Sequence, residues 1–222
     1  MNSRPLGLAT SLICVICVIG FASSTHSLTI DSFTESQELS GPNAVGFPRQ
    51  SVVLGDMLGG EREMVVGGTA SGDAVTGVVG GGSLSLVRSS PGQHFVDLLW
   101  RTDGTDLTKG GATSAFLLDV GLFTGATSIT LSASTDLFGS IQSRYFRLLE
   151  TPGVIEAAFS DFQTFGDGDP VDFTDVRVIA LRIQTTGEAR LDGGLLTVPE
   201  PGTGLLLLSG LIVLARSRGV RA

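Results

Sequence analysis

The chain has 222 residues, and its 22 acidic residues outnumber its 14 basic ones to give a net charge of −8. A surface of this sign repels nucleic acid and anionic lipid, so phosphate-binding functions are disfavoured. The only two cysteines, Cys14 and Cys17, lie close to the N-terminus. The rest of the chain must therefore be held together by packing or by a metal ion, without disulfides.

The N-terminus has the pattern of a secretory signal peptide. Arg4 supplies a short positive region, residues 6–21 are mostly apolar, and small residues follow at Ala22 and Ser24 or at Thr25 and Ser27. This order predicts export, with residues 1–27 removed. The Cys-x-x-Cys spacing lies inside this removable segment, so a redox site is not predicted there.

Residues 28–197 have the size of one domain with a real core. Apolar and polar residues alternate at 28–33, 83–86, 128–132 and 176–183, and residues 145–149 also favour a strand. Turn-forming glycine and proline clusters separate these runs. The pattern predicts an all-β protein built as an antiparallel β-sandwich of jelly-roll type.

The predicted domain is more acidic than the whole chain. Removing four basic residues outside it leaves ten, and removing Glu200 leaves 21 acids, so its net charge is −11; the basic residues removed are Arg4, Arg216, Arg218 and Arg221. Such a surface suits an exported, well-solvated protein.

The C-terminal segment 198–222 has three parts. Val198, Pro199, Glu200 and Pro201 are followed by an apolar run at 205–215 and then by Arg216, Arg218 and Arg221. As a helix, residues 202–215 would be about 21 Å long, short of the roughly 30 Å hydrocarbon core of a bilayer. We expect a temporary transmembrane helix, with the arginines forming a cytoplasmic charge stop.

These residues resemble the PEP-CTERM sorting signal of Gram-negative bacteria. The resemblance implies recognition by an exosortase-like membrane protease, processing near the Pro-Glu-Pro motif, and an association with exopolysaccharide and biofilm. It implies an exported protein that is first tethered to the inner membrane facing the periplasm and then reaches the cell surface or extracellular matrix. A plain C-terminal anchor is the alternative, with the same topology and no cleavage.

Short motifs of the domain also carry a resemblance. The motifs lie at 30–33, 58–63, 95–98, 115–120, 159–162 and 172–176. They look like those of a family of exported domains found ahead of this sorting signal. That family is in turn similar to the galactose-binding-like jelly rolls that serve as carbohydrate-binding modules. The resemblance implies a jelly roll with carbohydrate binding as its candidate function. It also suggests a structural calcium where the first and last strands meet, at Asp31 and Asp192.

Calcium has a second candidate site in the acidic loop that contains Asp167, Asp169, Asp172 and Asp175. Carboxylates on glycine-rich turns are typical calcium ligands, although this spacing does not follow the EF-hand pattern. A solvated turn is the alternative for both sites.

Sugar binding usually requires an exposed aromatic ring. Trp100 is the candidate sugar contact, because it precedes a polar loop at 101–106; a core position is the alternative. His94 is the only histidine of the predicted domain, which excludes a multi-histidine zinc site, and no nucleophile motif accompanies it. We therefore predict a non-enzymatic surface or matrix protein that binds polysaccharide, with a secreted glycan hydrolase or a purely structural matrix protein as alternatives.

Overall fold

The computed structural model describes residues 27–42, 49–68, 74–88, 92–136, 142–165 and 169–198. The predicted signal peptide up to residue 26 and everything after Val198, including the Pro-Glu-Pro motif, the apolar run and the arginine cluster, lie outside these ranges. Within them, no helix is long and apolar enough to cross a membrane.

The described residues form fourteen strands and two short 3₁₀ turns, at Leu58–Gly60 and Phe159–Asp161. The strands are β1 (Thr29–Asp31), β2 (Gln37–Pro42), β3 (Arg49–Leu54), β4 (Glu61–Gly68), β5 (Ala74–Gly80), β6 (Ser83–Arg88), β7 (His94–Thr105), β8 (Ala115–Phe123), β9 (Thr127–Ser134), β10 (Ser143–Leu149), β11 (Gly153–Ala158), β12 (Gln163–Thr164), β13 (Val176–Thr185) and β14 (Ala189–Val198).

Two seven-stranded sheets, both antiparallel, make up the fold. The first has the order β11-β8-β14-β6-β5-β2, with β1 joining beside β14; the second has the order β12-β10-β9-β13-β7-β4-β3. Apolar side chains that alternate along the strands meet between the sheets, including those of Leu98, Phe116, Leu131, Leu181 and Leu191. The predicted all-β sandwich is confirmed, and β10 contains the strand predicted at 145–149.

The two ends of the domain pair with each other. Strand β1 lies beside β14 at Leu195 and Leu196, and the backbone N–H of Leu28 donates to Oγ1 of Thr197 over 3.1 Å. Val198, predicted as the first residue of the sorting motif, is the last residue of β14 and pairs with Ala115 of β8. The chain therefore enters and leaves the sandwich at one place.

Candidate functional site

A buried arginine on β4 binds residues of β1, β2 and the segment between them. The side chain of Arg62 is fully buried on β4, where its Nη1 atom lies 2.7 Å from Oδ2 of Asp31. Its Nε donates to Oε1 of Gln37 over 2.8 Å, and its Nη2 donates to the carbonyl of Glu35 over 2.7 Å. Every edge of the guanidinium has an acceptor, which is what a buried charge requires.

The carboxylate of Asp31 is equally engaged. Besides Arg62, it accepts a hydrogen bond from the backbone N–H of Phe33 at 2.7 Å and one from Nε1 of Trp100 at 2.9 Å. Asp31 is 1% exposed. The structure thus gives Asp31 the role of a buried counter-ion that joins β1, β4 and β7.

Trp100 is a core residue, which corrects its prediction as a sugar contact. Its side chain is 0% exposed, and its indole N–H is bonded to Asp31. A ring with no accessible face cannot stack on a sugar. The core alternative is the one that the structure bears out. His94, on the same strand, is also buried.

The candidate calcium ligands are not assembled into a group. Asp192 is partly exposed and accepts a hydrogen bond from Arg190 over 2.7 Å, whereas Asp31 is bound to Arg62. Asp172 accepts hydrogen bonds from the N–H and hydroxyl of Thr174, which lower the pKa of Asp172, the hydroxyl having the larger effect. Among the described residues, no three His, Cys, Asp or Glu side chains form a metal-holding group.

Asp169 and Asp175 are exposed, and Asp167 lies outside the described residues. Calcium in this loop therefore stays a prediction. Melting curves recorded with calcium and with a chelator would test it.

A cluster of four phenylalanines supports one end of the sandwich. Phe159 and Phe173 stack with ring centroids 4.2 Å apart and an interplanar angle of 5°, and Phe116 packs edge-on against Phe159 at 5.2 Å. Phe162 packs edge-on against Phe173 at 5.2 Å and also contacts Tyr145 of β10 at 5.9 Å. The cluster fixes the 3₁₀ turn at 159–161 and the following β12 against β10.

Strand β10 is open along most of its outer edge. It pairs with β9 from Ser143 to Leu149, but β12 pairs with it only at Ser143 and Arg144. The backbone beyond Arg144 is therefore not covered by a neighbouring strand of the described chain.

A cleft of about 480 Å³ lies where β12 meets this edge. It is lined by two exposed rings, Phe146 and Phe165, together with polar side chains and Tyr145; the polar residues are Arg144, Asp161, Gln163 and Thr164. The guanidinium of Arg144 lies 4.1 Å from the ring centroid of Phe165, and the N–H of Phe165 donates to the carbonyl of Gln142 over 2.9 Å. Phe165 is thus held in place by both backbone and side chain. We call this cleft, with Arg144, Phe146, Asp161, Gln163 and Phe165 as its defining residues, the β10 cleft.

The sheet face beside the β10 cleft is polar. Phe146 stands opposite Thr130 of β9, and Arg144 stands opposite Ser132. Further across the sheet, Arg182 forms a two-pronged ion pair with Asp97, with both distances 2.6 Å, and this hydrogen bonding raises the pKa of Arg182. The hydroxyls and the ion pair continue from the cleft across the outer face of the sheet.

A second cleft of about 310 Å³ follows along the same strand, at the turn from β10 to β11. Arg147, Leu148, Glu150 and Val154 are among the residues that line it, and Leu148 is 66% exposed. Neither this cleft nor the β10 cleft contains a residue predicted above as the sugar contact or as a calcium ligand, although 145–149 was predicted as a strand and Asp161 lies in the motif at 159–162. Phe165 follows a strand of only two residues, which is too short to show an alternating pattern in the sequence. Only the pairing of β12 with β10 in the fold shows that this ring lies in a cleft.

Comparisons with known proteins give structural likenesses alone. No protein-family model and no curated protein matches the chain. Among solved structures, the family 11 carbohydrate-binding module of the cellulosomal cellulase Lic26A-Cel5E of Clostridium thermocellum is 12% identical and has a TM-score of 0.43, with 80% of this chain and 96% of that one covered.

Two further structures illustrate the range of these likenesses. The same type of module in complex with a β-1,3-1,4-mixed-linked tetrasaccharide is 12% identical with a TM-score of 0.42, over 78% of this chain and 95% of that one. The enzymatically active domain of tailspike protein 4 from bacteriophage CBA120 is 10% identical with a TM-score of 0.34, over 73% and 20%. Because the sequence identities and TM-scores are this low, a ligand for this chain has to be inferred from the chain's own surface.

Proposed function

We propose that this chain is an exported, non-enzymatic glycan-binding protein whose sandwich domain holds polysaccharide in the β10 cleft. The observation that carries the proposal is the pair of exposed rings in that cleft. Phe146 is 58% exposed and Phe165 is 50% exposed, although most phenylalanine side chains are buried in folded proteins.

The rest of the cleft has the chemistry that a sugar needs. The C–H face of a pyranose ring is apolar and stacks on a phenyl ring, while its hydroxyls require donors and acceptors at the rim. Gln163, Thr164 and Asp161 supply amide, hydroxyl and carboxylate groups beside the rings. An apolar floor with a few convergent polar groups is typical of small-ligand sites.

A glycan hydrolase is the less favoured alternative at this site. Glycoside hydrolysis generally uses two carboxyl groups flanking the scissile bond. Among the described residues that line the β10 cleft, Asp161 is the only acid. Binding without turnover therefore fits the cleft better than catalysis.

Sorting through the C-terminal signal is the second part of the proposal. It is supported by the Val198-Pro199-Glu200-Pro201 motif, the short apolar run and the arginines that follow. We propose that an exosortase-like protease processes the membrane-tethered chain and that the domain then reaches the cell surface or extracellular matrix. Intact-mass measurement of the native protein tests this step, because a C-terminus that retains Arg216 in every fraction contradicts processing.

Glycan binding is tested by affinity electrophoresis of the full-length chain, in mild detergent, against a panel of polysaccharides. We expect retardation by at least one polymer, and loss of that retardation in Phe165→Ala. Leu122→Ala is the matched control, because Leu122 is a comparably exposed apolar residue on β8 of the other sheet. Equal retardation of both variants contradicts the site, and release of shortened sugars during incubation favours the hydrolase.

A further inference from the structure

We infer that the glycan bound along β10 is anionic and carries carboxylate groups that Arg144 and Arg147 recognise. The inference rests on the proposed function and adds the chemical class of the ligand. Its starting point is the distribution of positive charge on a domain whose net charge is −11.

Five of the described arginines form ion pairs with acids of the domain. They lie within 4.0 Å of at least one carboxylate oxygen, in two cases at 2.6 Å; they are Arg62, Arg101, Arg177, Arg182 and Arg190. In a domain with this excess of acidic residues, most arginine side chains are expected to lie close to a carboxylate.

Arg144 and Arg147 differ from those five. Neither forms an ion pair in the described part of the chain, although Asp161 and Glu150 line the same two clefts. Both arginines lie on β10, three residues apart and about 10 Å along the strand, so their side chains project to opposite faces of the sheet and flank its open edge. The open edge of β10 therefore presents two unpaired guanidinium groups, one in each cleft.

Arg144 is already oriented for a ligand. Its guanidinium lies over the ring of Phe165, a contact that stabilises the cation without using its N–H donors in ion pairing. A planar guanidinium binds a carboxylate through two parallel hydrogen bonds, and a neutral hydroxyl cannot reproduce that geometry. A sugar ring stacked on Phe165 or Phe146 would bring a carboxylate substituent within reach of this arginine.

The acidity of the domain does not prevent such a contact. At physiological ionic strength the Debye length is about 8 Å, so the more distant carboxylates are largely screened. A direct arginine–carboxylate contact inside a cleft is screened much less. Local recognition can therefore outweigh the overall repulsion.

The test compares acidic polysaccharides with their own carboxyl-reduced forms. Binding of the full-length chain, in mild detergent, is measured by calorimetry to polygalacturonate, alginate and hyaluronate and to each polymer after reduction of its carboxyl groups. The variants are Arg144→Gln, Arg147→Gln and, as a control, Arg190→Gln on β14 of the other sheet. Circular dichroism checks that each variant is folded.

We expect at least one acidic polymer to bind about tenfold or more tightly than its reduced form, the scale of one charge-assisted hydrogen bond. Arg144→Gln and Arg147→Gln should each remove most of that preference, and Arg190→Gln should retain it. Equal affinity for the acidic and reduced forms, with binding still dependent on Phe165, overturns the anionic ligand but leaves glycan binding intact. Absence of binding to every polymer overturns both.

Discussion

Replacing Asp31 by asparagine should cause the largest loss of stability of any single polar substitution in this domain. The variant removes the charge that neutralises Arg62, whose side chain has no contact with solvent. It also weakens the hydrogen bonds that Asp31 accepts from Trp100 and Phe33. Breaking a buried ion pair by removing one partner typically costs about 3–5 kcal/mol, because the remaining charge is left uncompensated.

That cost is a large part of the free energy of unfolding of an ordinary domain, which is about 5–15 kcal/mol. For a domain of this size, 1 kcal/mol shifts the melting temperature by about 2–4 °C, so we expect Asp31→Asn to melt about 6–20 °C below the wild type. Urea titration followed by circular dichroism gives the same quantity as a free energy.

The matched control is Asp97→Asn. Asp97 also pairs with an arginine, Arg182, at 2.6 Å, but the arginine side chain is 46% exposed. Exposed ion pairs contribute about 0.2–1 kcal/mol, so this variant should stay within a few degrees of the wild type. The double variant Asp31→Asn/Arg62→Met, which removes both charges, should recover part of the loss. An Asp31→Asn protein as stable as Asp97→Asn would refute the role given to the buried pair.

Two further substitutions test local features of the fold. Gly59→Ala should destabilise the domain more than Gly60→Ala. Both glycines have a positive φ, which costs alanine about 1–2 kcal/mol, but only at Gly59 would the added Cβ also overlap the carbonyl of Arg101. Equal urea midpoints for the two variants would contradict this prediction. Asp106→Asn tests how the stability of the domain depends on pH. The Thr108 hydroxyl holds the pKa of Asp106 below its ordinary value in the folded protein. The carboxylate therefore stabilises the fold at pH values above the pKa of about 3.9 that an unfolded chain has, and this stabilisation is lost as the pH falls through the lower pKa of the folded state. The variant should therefore melt below the wild type at neutral pH and together with it at about pH 2, and a gap that persists in acid would contradict the assignment.

The strands were predictable because alternation is a local signal. Residues 128–132 and 176–183 alternate cleanly, and the structure places them in β9 and β13 at the centre of one sheet. The strand at β10 was also predicted, although an apolar and charged run of this kind could have been read as a helix. In each of these segments the order of apolar and polar residues alone indicates which side chains are buried, so no information from the rest of the chain is needed.

The buried ion pair was not predictable, because its partners meet only in the folded protein. Arg62 occupies an inward position of β4, where a sequence pattern leads one to expect an apolar side chain. Asp31 is 31 residues away along the chain, on a strand of the other sheet. The motifs at 30–33 and 58–63 that carry the family resemblance contain these two residues, so that resemblance reports at least in part on the core.

The same limit explains the misplaced sugar contact. Trp100 was chosen because it precedes a polar loop, but β7 is twelve residues long and continues to Thr105, which leaves Trp100 inside the sandwich. Phe165 directly follows β12, an edge strand of only two residues that are themselves exposed, and its ring is exposed as well. Strand length and pairing, rather than composition, decide which ring is available to a ligand.

Amide hydrogen exchange with bound polysaccharide tests the location of the glycan site most directly. Peptides of the full-length chain would be compared with and without the tightest-binding polymer of the panel. We predict added protection confined to residues 143–165, which include β10, the turn to β11 and the Gln163–Phe165 segment. Protection located instead on β5 and β6 of the other sheet, or no change at 143–165 at saturating polymer, would contradict glycan binding in the β10 cleft.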